Sequence, residues 1–158
     1  MSQAYRDQFA HYINITPTAE TKKWELEGTG VDSLALAYNP QIDQYKTIIS
    51  RNSDATFNGY QIQSSISGKR IYPDDPIYET LNEARKKATA IETQLLEVDR
   101  TKEVTDGSYA SSEYDVLIVI NEFLGENATV SYDLYVKGTP RNGTSIIQAE
   151  KPVFTEEA

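Results

Sequence analysis

Cysteine is absent from the 158 residues, which excludes disulfides and thiolate metal sites. Histidine occurs once, at His11, so no zinc spacing of histidines and no Ser-His-Asp set can be assembled. Phosphate-binding glycine loops, whether of the G-x-G-x-x-G or the G-x-x-x-x-G-K type, are missing as well. Basic residues are scarce: 15 against 24 acidic ones, for a net charge of −9. That balance argues against a protein that grips nucleic-acid phosphates, which needs a basic stripe. No apolar run approaches transmembrane length, and residues 1–10 lack one altogether, so neither a membrane span nor a signal peptide is expected.

What is present centres on residues 59–88. Asp75 is placed to cap a helix with its carboxylate, and Pro76 suits the first helical position, where an N–H is not needed. Ile77, Leu81, Ala84 and Ala88 recur at helical spacing. Glu79 and Glu83 early, with Arg85, Lys86 and Lys87 late, match the helix dipole. Immediately upstream, Tyr60, Ile62 and Ile66 alternate with Gln61, Gln63, Ser65 and Ser67, the period of a strand. The expected class is mainly β: a β-sandwich or barrel of one domain with one flanking α-helix over 75–88.

Taken in order, residues 1–21 have no sustained period and read as an N-terminal arm. Trp24 and Leu26 alternate with charged neighbours as a half-buried strand, with Trp24 as a core anchor, and residues 31–38 resume the alternation. Residues 38–60 read as an extended loop or β-hairpin standing off the core: Asn39-Pro40 opens it, a strand is expected over 43–50, and Asn58-Gly59 signals a turn. Later strands are expected over 93–100, 113–122 and 128–137. Between them lie a polar loop at 101–112 with a turn at Asp106-Gly107, a turn at 125–127 and another at 139–143. Residues 144–158 read as a C-terminal arm, at most an edge strand.

Chemistry finds little support. His11 reads as a surface residue of the arm, the Asp74-Asp75 pair is accounted for by helix capping, and residues 99–106 lack the ligand alternation of a calcium loop. No enzyme, cofactor or metal is expected. Eleven tyrosines against four phenylalanines instead favour surfaces that end at interfaces, because tyrosine joins apolar area to a polar tip.

The order of short motifs resembles a known family, the major tail (tail tube) proteins of long-tailed, non-contractile bacteriophages. The likeness runs through Trp24-Glu25-Leu26-Glu27-Gly28-Thr29-Gly30-Val31, Leu34 and Tyr38-Asn39-Pro40. It continues through Asn58-Gly59-Tyr60, Asp74-Asp75-Pro76-Ile77-Tyr78 and Gly138-Thr139-Pro140 to Gly143, so that it spans residues 22–143. The resemblance implies hexameric rings stacked into a tube that conducts DNA into the host. It implies a subunit made in the bacterial cytoplasm and located in the virion tail. Partners would be other copies of the chain and the tape-measure, tail-tip and tail-terminator proteins, with DNA passing without specific binding. The 38–60 segment would then link subunits through Tyr38, Asn39, Pro40, Ile42, Tyr45, Ile48 and Ile49. Two strand faces compete as the lumen lining, one bearing Gln61, Gln63 and Ser65, the other Glu113, Asp115 and Asp133. Tubes of contractile tails and of type VI secretion share the implied fold, and a monomeric β-sandwich that binds carbohydrate or a receptor is the rival from a different class.

Overall fold

The computed structural model describes residues 2–49, 51–124 and 127–157. Its elements are β1 (Phe9–Asn14), β2 (Trp24–Leu26), β3 (Pro40–Tyr45), β4 (Asp54–Tyr60), β5 (Gln63–Arg70), α1 (Pro76–Lys87), β6 (Ile91–Thr105), β7 (Ser108–Phe123), β8 (Thr129–Gln148) and β9 (Lys151–Glu156). Among the described residues seven strands form one antiparallel sheet in the order β2-β1-β6-β7-β8-β5, with β9 also pairing with β8. The sheet curls until β9 and β2 meet, where Lys151 Nζ lies 2.5 Å from Glu25 Oε2. The architecture is thus a nearly closed antiparallel barrel with one short helix and a separate two-stranded sheet, β3-β4.

Both faces of this sheet are used. On one, Ile77, Leu81 and Ala84 of α1 pack with Ile66, Val116, Ile118, Val130, Tyr132 and Leu134. On the other, where the sheet curls over itself, Ala10, Tyr12, Trp24, Leu96 and Val98 form a smaller core with Tyr109 and Phe154. Trp24 is a core anchor as expected, in this second cluster. The helix also follows its sequence signals: Asp75 Oδ1 accepts from the Ile77 N–H at 3.1 Å, and Ala88 closes the end in left-handed geometry.

Several expectations are corrected. Residues 1–21 are not an arm, because Phe9–Asn14 is an interior strand between β2 and β6. Its period is hidden because Tyr12 enters one core and Ile13 the other, so both faces are apolar. Residues 31–38 make only one ladder contact, Ala37 with Gln63. The Asn58-Gly59 pair is not a turn. It is a bulge within β4, where Gly59 takes φ +97° and the register slips by one. The polar loop at 101–112 is strand on both sides of the Asp106-Gly107 turn, and residues 139–143 continue β8 instead of turning. Of the two readings of residues 144–158, the edge strand holds and the arm does not: Gly143 to Gln148 pair with β9 as an edge hairpin. Of the expected turn at 125–127, Gly125 and Glu126 lie outside the described residues.

Two substitutions probe this packing. Leu81→Ala removes a fully buried side chain of α1 and should cost about 2–5 kcal/mol in chemical denaturation. Gly143→Ala should act locally, since a Cβ there would lie 2.1 Å from the Thr155 carbonyl oxygen. Hydrogen exchange should rise across residues 151–156 while α1 stays protected. An unchanged β9 would contradict the close approach.

Candidate functional site

Three features bear on function. The first is the β3-β4 hairpin. Pro40 pairs with Tyr60 and Tyr45 with Asp54, and neither strand joins the main sheet. Its base is tied by Asn39, whose side-chain amide donates to the Gln61 carbonyl at 3.0 Å. Asn39 itself takes φ +44°, which lets the chain turn sharply into Pro40. Tyr38, Phe57 and Tyr60 stack edge to face at 4.8–5.4 Å on this base. Beyond it Ile42 and Tyr45 are about half exposed, and Ile48 and Ile49 are 104% and 92% exposed. All seven residues expected in an assembly loop therefore lie on or beside one projecting hairpin. Phe57 was missed; as a single aromatic among polar neighbours it gave no pattern.

The second feature is the face of the main sheet opposite α1. The two competing strand faces turn out to be one surface. Ser65 pairs with Asp133, and Gln63 with Tyr135, which in turn opposes Leu117. Asp115 lies two residues from Leu117 and opposes Lys137 and Gln94, so it shares that side. The carboxylates here are largely neutralised. Glu113 is buried and held by Lys22 Nζ at 2.9 Å and by Arg141, which also chelates Asp115 at 2.9 and 3.0 Å. Glu113 thus stands as a buried ion-pair partner instead of an exposed lining carboxylate. Hydrogen bonds from Arg141 lower the Asp115 carboxyl, and those from Asn121 and Ser65 lower Asp133. Glu92 pairs with Lys137 at 3.0 Å. Gln61, Gln63 and Ser65 are exposed. The charges of this surface are close to balance, and Leu117, Val119 and Tyr135 lie among its polar groups.

The third feature is a charged cluster inside the α1-side core, which sequence reasoning missed. Lys69 has no solvent exposure, and its Nζ lies 2.8 Å from Glu27 Oε1, 2.6 Å from the Thr29 carbonyl oxygen and 2.9 Å from Asp75 Oδ2. The Asp75 contact is an ion pair off the hydrogen-bond direction, and Oδ2 has no hydrogen-bond donor. Tyr132 Oη donates to Glu27 Oε2. Burial pushes the Glu27 carboxyl up, outweighing the lowering by Lys69 and Tyr132, and burial likewise raises the Tyr132 phenol. Capping therefore accounts for only one oxygen of Asp75. His11 is also buried and contacts Glu97 Oε2 at 2.9 Å, so it is a sheet residue and not a surface one.

Compared with known proteins, the sequence matches no family model, and no curated protein matches it either.

The cluster makes a pH-dependent contribution of definite sign. A carboxyl raised by folding keeps a proton that the unfolded chain releases above about pH 4.5, so its contribution is most favourable below that value. Stability from this group then falls as pH rises through the folded-state value. Glu27→Gln keeps the shape and removes the titration. Urea midpoints measured from pH 4.5 to 7 should show the variant gaining on the native chain as pH rises. Parallel curves would show that Glu27 carries no such shift.

Proposed function

We propose that this chain is the tube subunit of a long-tailed bacteriophage, self-associating as stacked, hexameric rings into the conduit for DNA. The observation that carries the reading is the projecting hairpin with Ile42, Tyr45, Ile48 and Ile49 exposed together. A lone subunit gains nothing from ordering those side chains in water, whereas a neighbouring subunit can bury them. The outer edge of β5, covered only at its ends by Ala37 and Gly30 among the described residues, agrees with the same reading, because ring formation would pair an edge that otherwise invites aggregation. Subunits would be made in the host cytoplasm and function in the virion tail, beside tape-measure, tail-tip and terminator proteins. The motif order favours a non-contractile tail over contractile or type VI tubes.

The polar sheet face bearing Gln63, Ser65, Asp115 and Asp133 is the proposed lumen lining. Arg141 matches Asp115 and Lys137 matches Glu92, while Asp133 is held by the neutral Asn121 and Ser65, so the face would pass DNA by offering no cationic site, not by strong repulsion.

One specific observation favours the rival, a monomeric binding module. The exposed Tyr38, Phe57 and Tyr60 cluster would also make a stacking platform for a carbohydrate ring.

Replacing residues 41–56 by a short Gly-Ser link separates the two. The tube reading expects a folded subunit by circular dichroism and no tubes by negative-stain microscopy, where the native chain with its tail-tip initiator forms them. A native chain that stays monomeric under those conditions supports the binding module. Unfolding of the shortened chain would make the hairpin part of the core.

The lining is tested separately by Gln63→Lys with Ser65→Lys. Tubes should still form, and DNA ejection from particles built with the variant should slow, most at low salt. Ejection indifferent to both changes would remove this face from the lumen.

A further inference from the structure

We propose that Lys69 and Asp75 condense into an intramolecular isopeptide bond, with Glu27 as the proton carrier. The inference does not depend on the tube reading. It rests on the placement of three groups that ordinary stability does not call for. A buried lysine between two carboxylates is a poor source of stability, since desolvation offsets most of the attraction. It is a good arrangement for acyl transfer. The amine nitrogen lies 2.9 Å from Asp75 Oδ2, sealed from water, and close confinement of this kind replaces a bimolecular encounter.

The two oxygens of Asp75 are not equivalent. Oδ1 is held by the Ile77 N–H, a donor at a helix N-terminus that would stabilise negative charge building on that oxygen. Oδ2 has no hydrogen-bond donor among the described residues and faces the Lys69 ammonium at 2.9 Å, so the protons that turn it into a leaving group come from Lys69. Glu27 differs again: Oε1 accepts from Lys69 and Oε2 from Tyr132, so both its oxygens are engaged. Burial raises its carboxyl, so it holds a proton received from Lys69 more readily than an ordinary carboxylate would.

The step balances without any outside reagent. Lys69 gives one proton to Asp75 Oδ2, and the nitrogen lone pair then adds to Asp75 Cγ. Glu27, as the carboxylate, takes the second proton from the nitrogen and passes it on to Oδ2. The Cγ–Oδ2 bond breaks, and the oxygen leaves as water. An ammonium and a carboxylate become an amide and one water, with nothing oxidised or reduced. Two buried charges disappear, which lowers the desolvation cost of the site. The product ties β5 covalently to the first turn of α1.

The test is the mass of the purified full chain under denaturing conditions. The bond predicts a value about 18 Da below that of the sequence, one water per chain. Trypsin should then yield a branched product in which residues 52–70 are joined to residues 71–85, because acylated Lys69 resists cleavage. Asp75→Ala should restore the full mass. Asp75→Asn keeps an acyl group with ammonia as its leaving group, so it should lose about 17 Da instead. Glu27→Gln should leave most chains uncrosslinked. A native chain at full mass overturns the proposal, as does a water loss mapped to any other pair of residues. Equal crosslinking in Glu27→Gln would overturn the role given to Glu27.

Discussion

A lysine with no contact to solvent must find all of its partners within the chain, and Lys69 draws them from separate segments. Glu27 and Thr29 come from the stretch after β2, Asp75 from the helix cap, and Tyr132 joins from β8 through Glu27. Moving any of these segments would pull a partner away from the buried ammonium, so the positions of the loop, the helix and the sheet are mutually fixed. Gly30 reinforces the arrangement. Its carbonyl accepts from the Arg70 N–H at 3.0 Å, and a Cβ there would lie 2.4 Å from the Arg70 carbonyl oxygen, at φ +74°. Only glycine lets this loop lie flat against the end of β5 and bring the Thr29 carbonyl to the ammonium.

A bulge decides which way Lys69 points. In an unbroken strand the residues at 65, 67 and 69 would share the outward face with Gln63. The register of β5 on β8 slips by one between Ile66 and Lys69, at Gly68 with φ +67°, and the freed Gly68 N–H bonds to Ser131 Oγ at 2.9 Å. The slip turns Lys69 inward while leaving Ser65 outward. One irregular residue thus separates an exposed polar face from a buried charged site.

Much of the architecture was legible in the residues. The helix announced itself through Asp75-Pro76 and the spacing of Ile77 and Leu81, and the hairpin through Asn39-Pro40 and its few, isolated isoleucines. What failed, failed for physical reasons. β1 lacks alternation because both its faces are buried, and β8 runs straight through a Thr-Pro-Arg-Asn-Gly stretch because Gly138 absorbs a bulge and Pro140 sits at the same irregular point. The charged site was hidden for the reason just given: strand parity places Lys69 in solvent. The equivalence of the two polar faces depends on β5 pairing with β8, and no local pattern encodes a partner more than sixty residues away.

β8 is the longest element, and it pairs with β7 over nearly all its length while β5 and β9 occupy its other edge in succession. This geometry has a mechanical side. Tension along β8 would load its ladder with β7 in shear, so many hydrogen bonds would have to yield together. Tension on the β3-β4 hairpin would instead open its pairs one after another from the end, like a zip. The molecule therefore combines a stiff axis with a compliant appendage, and a pulling force would find its weakest direction in the hairpin long before it disturbed the barrel.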